Sequence, residues 1–191
     1  MGANANVYEF VNNGAEYMDK DILINATIQS LRSVKNPRLF RTERGFQGEF
    51  SYSLQNILRE QGVVDSRCIL EMEHQKSVRH GTQQRPDIIL HVPVEVSKTN
   101  VTKNNYAVWA LKRNASVRSA TEDFEKLNEM FFRLKYSIGF FINIDSGSHH
   151  LDNYSGDFRD RIFAFAVQLN QSDVAIKMAY FEGNNVIEIE I

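Results

Sequence analysis

Cysteine and proline are scarce in this chain, long apolar runs are missing, and its charges nearly cancel. A single cysteine, Cys68, excludes an internal disulfide. Its setting in the apolar stretch Cys68-Ile69-Leu70 predicts a small buried side chain, not a nucleophile. Three prolines and the lack of any low-complexity tract set the chain apart from disordered and fibrous classes. No apolar run approaches the roughly 20 residues of a membrane span. The opening MGANANVYEF lacks the basic start and apolar core of a signal peptide, so a cytoplasmic protein is predicted. There is no glycine-rich phosphate loop and no serine-centred nucleophile elbow. His74, His80 and His91 lack zinc-type spacing, and the adjacent His149-His150 reads as loop.

What is present is the composition of an ordinary folded domain: 191 residues, 42% hydrophobic and 24% charged. That length predicts one domain over residues 1–191 with a core of its own. The net charge of -2 hides an asymmetry, because the segment from His74 to Arg118 holds eight Lys or Arg against two acids, Asp87 and Glu95. A basic segment inside a neutral chain suits one phosphate-facing surface. Such asymmetry also arises by chance in loops. Arg79, Arg85, Lys98, Lys103, Arg113 and Arg118 are its candidate nucleic-acid contacts.

Helical periodicity comes first along the chain. Ile22, Leu23, Ala26 and Leu31 predict a helix opened by Asp19 or Asp21 and ended by Asn36-Pro37. Phe46, Phe50, Leu54, Ile57 and Leu58 recur at spacings of three and four, predicting a second helix closed by Gly62. Beside that apolar stripe runs a polar one through Glu49, Ser53, Asn56 and Glu60, which could border a cleft. The period then changes. Segments 67–74, 87–92 and 106–111 are short and rich in Ile, Leu and Val, as strands are. Val117, Ala120, Phe124, Leu127, Phe131 and Leu134 mark a strongly amphipathic helix, and 137–143 reads as a buried strand. The end, Ile187-Glu-Ile-Glu-Ile191, alternates as a strand with one wet face does. The coarse order is α-β-β-β-α-β with a β-rich C-terminal tail, an α/β class with a mixed sheet.

Two pieces carry chemistry. Arg85-Pro86-Asp87-Ile88-Ile89-Leu90 puts an acid at the start of a buried strand, and Val108-Trp109-Ala110-Leu111-Lys112-Arg113 puts a lysine near the end of the next. A carboxylate and an ammonium at the rims of neighbouring strands can hold a hard cation and meet charge developing on a phosphate. Glu71 and Glu73, alternating with Leu70 and Met72, could face the same cleft, though a solvent-facing pair is the commoner arrangement. Trp109 reads as core before it reads as a base-stacking platform.

Together with the element order, these pieces resemble the PD-(D/E)xK, or restriction-endonuclease-like, nuclease superfamily over roughly residues 46–143. The resemblance implies a Mg²⁺- or Mn²⁺-dependent endonuclease, a hydrolase acting on DNA in restriction, repair or anti-phage defence, with a homodimer as the partner expected for double-strand cutting. Pro86 and Asp87 fall on the family's Pro-Asp pair, Lys112 on its closing lysine, and Glu49 on its first-helix glutamate. Asp87 and Glu49 would then be the metal residues. The position two before the lysine, Glu or Asp in the family, is Ala110. Three accounts of that alanine are open: a substitution that traps an inactive enzyme, relocation of the acid to Glu122 or Glu125 on the following helix, or loss of catalysis. The last leaves a non-catalytic nucleic-acid-binding or assembly module. An unrelated α/β protein with a coincidental Pro-Asp and Lys is the remaining reading.

Overall fold

The computed structural model describes residues 18–72, 86–98, 102–171 and 173–191. Helix α1 (Lys20–Ser33) opens at Asp19, whose side chain accepts from the Asp21 amide at 2.9 Å, as an N-cap carboxylate does. Helix α2 (Glu43–Glu60) is capped in the same way by Thr42, and Gly62, at φ 74°, ends it in the left-handed conformation that glycine adopts without strain. Strands β1 (Ile69–Met72) and β2 (Ile88–His91) follow. A single helical turn, α3 (Val94–Ser97), leads to β3 (Asn105–Arg113). Helix α4 (Val117–Leu134) crosses over to β4 (Ile138–Ile144). A meander of β5 (Ile162–Asn170), β6 (Asp173–Glu182) and β7 (Asn185–Glu190) completes the chain.

All seven strands form one sheet in the order of the sequence. Strands β1, β2 and β3 pair antiparallel, β3–β4 and β4–β5 pair parallel, and β5, β6 and β7 are antiparallel again. Among the described residues the protein is therefore an α/β fold with a seven-stranded mixed sheet and four α-helices. Both faces of the central strands are covered, which explains their near-continuous apolar sequences. One face packs Ile88, Leu90, Trp109 and Leu111 against Leu23 and Leu31 of α1 and Phe46, Phe50 and Leu54 of α2. The other packs Ile89, Val108 and Ala110 against Ala120, Phe124, Leu127 and Phe131 of α4. Period-two alternation decides which side of the sheet each strand residue meets. Trp109 is wholly buried, stacked on Phe140 with its indole Nε1 donating to Thr27 Oγ1 at 3.1 Å. No helix among the described residues is long and apolar enough to cross a membrane.

Gly139 shows how closely α4 lies on the sheet. A Cβ there would stand 2.5 Å from Phe131 Cζ and 2.9 Å from Cε1, so the ring occupies the space a side chain would need.

Candidate active site

Asp87 stands one residue before β2, beside the carboxy end of β3, because the two strands run antiparallel with Ile88 opposite Trp109. Its Oδ2 accepts the Leu111 amide at 2.7 Å, and its carbonyl accepts Gln47 Nε2 from α2 at 3.1 Å. The carboxylate thus finishes the β2–β3 ladder in place of a backbone carbonyl. Alternation puts Asp87 on the α4 side with Ile89, and puts Ala110 and Lys112 on that side with Val108.

Asp87, Ala110 and Lys112 line one cavity of about 70 Å³, whose far wall is α4. Two charged residues of that helix, Asp123 and Lys126, line it as well, joined by a 2.6 Å ion pair. Asp123 is buried, while Lys126 keeps part of its stem in solvent. Burial pushes the Asp87 carboxyl up to about 6, against the pull of the Leu111 amide, with the charges of Glu43 and Asp123 adding to the rise. Burial works against the Lys126 ammonium, but the hydrogen bond and charge of Asp123, with the charge of Asp87, outweigh it and hold Lys126 above the usual lysine value.

Asp123 is the residue that sequence reasoning passed over. It lies three after Ala120 and four before Leu127, on the buried stripe of α4, so an acid on an apolar face was the available signal. Glu122 and Glu125, the acids of the relocation account, do not line this cavity. They border a neighbouring cleft of about 630 Å³ between α4 and residues 153–157, which Lys126 also lines.

Glu49 also misses the cavity. It is exposed on α2 and lies about 200° around the helix from Gln47, the residue that touches Asp87. Glu43, one turn before Gln47 and on its face, is the α2 acid whose charge reaches Asp87. Its Oε2 accepts the Arg113 amide at 3.2 Å.

The expected basic surface is divided. Arg113 follows Lys112 and so points to the opposite face of the sheet, where its guanidinium donates to Asp145 Oδ2 and to the Phe40 carbonyl, both at 2.6 Å. Lys98 and Lys103 are exposed in the β2–β3 connection, at the far end of β3 and on the order of 20 Å from Lys112 along the strand. Arg118, exposed in the first turn of α4, pairs with Glu122 at 3.0 Å. Arg79 and Arg85 lie outside the described residues, as do Glu73, His74 and His80. Glu71 is half-buried and meets His91 Nε2 at 3.0 Å. Cys68 is buried, and burial pushes its thiol up to about 12, far from a reactive thiolate.

As a metal site the cavity is incomplete. Mg²⁺ asks for clustered hard oxygens, and here Ala110 offers none, one Asp87 oxygen takes a backbone amide, and Asp123 takes an ammonium. Among the described residues no group of three or more His, Cys, Asp or Glu side chains gathers to hold a metal ion. The present donor set does not fit the divalent cation that the nuclease resemblance implies. The chain matches no protein-family model, no curated protein and no solved structure.

Proposed function

We propose that the Asp87–Lys112 cavity is a phosphodiesterase site of the restriction-endonuclease-like kind, directed at DNA and lacking its second strand carboxylate because position 110 is alanine. The observation that carries this reading is the convergence of Asp87, Ala110 and Lys112, from two neighbouring strands, on one cavity. They are separated by up to 25 positions in the sequence, so nothing local forces them together. The element order supports it further: a helix, an antiparallel three-stranded meander, a crossover helix and a parallel strand, with the two helices on opposite faces. Such an order is that of the PD-(D/E)xK core.

In this reading Lys112 meets charge developing on the scissile phosphate or orients the attacking water, and Asp87 is one of the carboxylates around the reacting centre. Restoring the acid tests it. Ala110→Glu should give Mg²⁺- or Mn²⁺-dependent DNA cleavage, Asp87→Ala in that background should abolish it, and Lys112→Ala should lower turnover more than DNA affinity.

A second reading, a module that binds nucleic acid without cutting it, is favoured by Ala110 itself. It becomes the better account if the Ala110→Glu protein cuts neither DNA nor RNA while the unchanged chain binds either with strong salt dependence.

A further inference from the structure

Lys126, like Asp123, is a feature of the cavity that the nuclease resemblance does not call for. Its ammonium lies 2.6 Å from the buried Asp123 carboxylate and feels the charge of Asp123 and Asp87, and the residue lines both the small cavity that holds Asp87 and the neighbouring cleft beside α4. A lysine three residues after an aspartate on an exposed helix face is an ordinary surface pair of little consequence. Here the aspartate is on the buried stripe, so the lysine must bend inward over the helix to reach it. In doing so it brings a positive charge to the mouth of a cavity walled by two carboxylates.

We infer that Lys126, paired with Asp123 in the cavity that Asp87 also lines, is a built-in cation that keeps the Ala110 form of the site closed to metal. The inference rests on the nuclease-type reading of the cavity, and it adds a regulatory element to that site. An ammonium and a dication compete for the same oxygens, and the side chain is tethered, so it competes at high effective concentration. The ion pair also satisfies Asp123, which would otherwise be a buried carboxylate without a counter-charge. With Lys126 neutralised, Asp123 and Asp87 line one cavity without that positive charge, and a divalent cation becomes a group that can replace it.

The test is direct metal binding to the full chain, without any activity measurement. Mn²⁺ is titrated and followed by electron paramagnetic resonance on four proteins: the unchanged chain, Lys126→Met, Lys126→Arg, and Lys126→Met with Asp123→Asn. Lys126→Met should bind one Mn²⁺ at least about tenfold more tightly than the unchanged chain, a modest factor for removing a cation a few ångströms from a dication at intermediate dielectric. Lys126→Arg should remain closed, and Asp123→Asn should cancel the gain. Tight Mn²⁺ binding by the unchanged chain overturns the inference, as does an equal gain in Lys126→Arg, no gain in Lys126→Met, or a gain that survives Asp123→Asn. Lys126→Met leaves the buried Asp123 carboxylate without its counter-charge, so a thermal melt checks the fold of each variant, and Asp123→Asn in the double variant removes that cost. Failure of Ala110→Glu to cut DNA would leave this result standing, and failure of the metal titration would leave the cleavage test standing.

Discussion

Asp87 offers a test that needs neither metal nor substrate. Its carboxyl is raised from the ordinary 3.8 to about 6, first by burial and then by the charges of Glu43 and Asp123. A group whose folded pKa lies above its unfolded value favours the fold fully at low pH and loses that contribution as pH rises through the folded value. Ionised Asp87 therefore costs the native state on the order of 3 kcal/mol above about pH 7, and almost nothing well below pH 4. Asp87→Asn removes the titration and keeps an oxygen for the Leu111 amide. The variant and the parent should differ by some fixed amount in acid, with the variant gaining a further ~2–3 kcal/mol between about pH 4 and pH 8. For a chain of this size that is roughly 5–10 °C in melting temperature. Trp109 is the sole tryptophan and sits one residue from Ala110, so its fluorescence during urea unfolding follows the strand that carries the site. A gap between the two proteins that stays level from acid to neutral pH would refute the burial argument and remove Asp87 as a perturbed group.

Two further outcomes concern the scaffold. Gly139→Ala should destabilise the protein by ~1–3 kcal/mol, since the Phe131 ring already stands where the new methyl group must go; unchanged urea unfolding would mean that α4 packs loosely. Thr27→Val should cost ~1–3 kcal/mol by leaving the buried Trp109 Nε1–H without its acceptor, and should shift the tryptophan emission; an unaltered spectrum would show that the α1 hydrogen bond does not matter to that strand.

Periodicity made much of the framework legible. The stripe from Val117 to Leu134 corresponds to α4, and segments 87–92 and 106–111 overlap β2 and β3. A cap at Asp19 or Asp21, resolved by the structure to Asp19, and a stop at Gly62 were readable because caps are local chemistry. Strand β5 was lost in an undivided tail: as a central strand paired on both sides it shows a run, Ile162 to Val167, where an edge strand shows alternation. The site divided along the same line. Asp87 and Lys112 could be chosen because each ends a strand-like segment. Choosing Glu43 over Glu49, or Asp123 over Glu125, required knowing which side of each helix faces the sheet, and Gln47 and Asp123 are polar residues on those buried sides. Reading apolar stripes alone discards such residues. Arg113 falls outside the expected surface for a simpler reason: adjacent residues of a strand face opposite ways, so it does not join Lys112 on one side of the sheet.

The parallel junction between β3 and β4 has a consequence for how the site comes into being. Strands β2 and β3 belong to one antiparallel meander and can unite Asp87 with Lys112 by zipping a connection of about a dozen residues. Asp123 and Lys126 belong to another piece, the crossover helix that joins β3 to its parallel neighbour β4. The cavity is thus a seam between two pieces of the fold, the meander and the crossover helix. A partial opening that lifts α4 would part the helix acid from the strand acid while the meander stays paired. Hydrogen exchange should then find α4 amides less protected than those of β3, and substitutions far along that helix should be felt as a loosening of the site before they are felt as a loss of the fold.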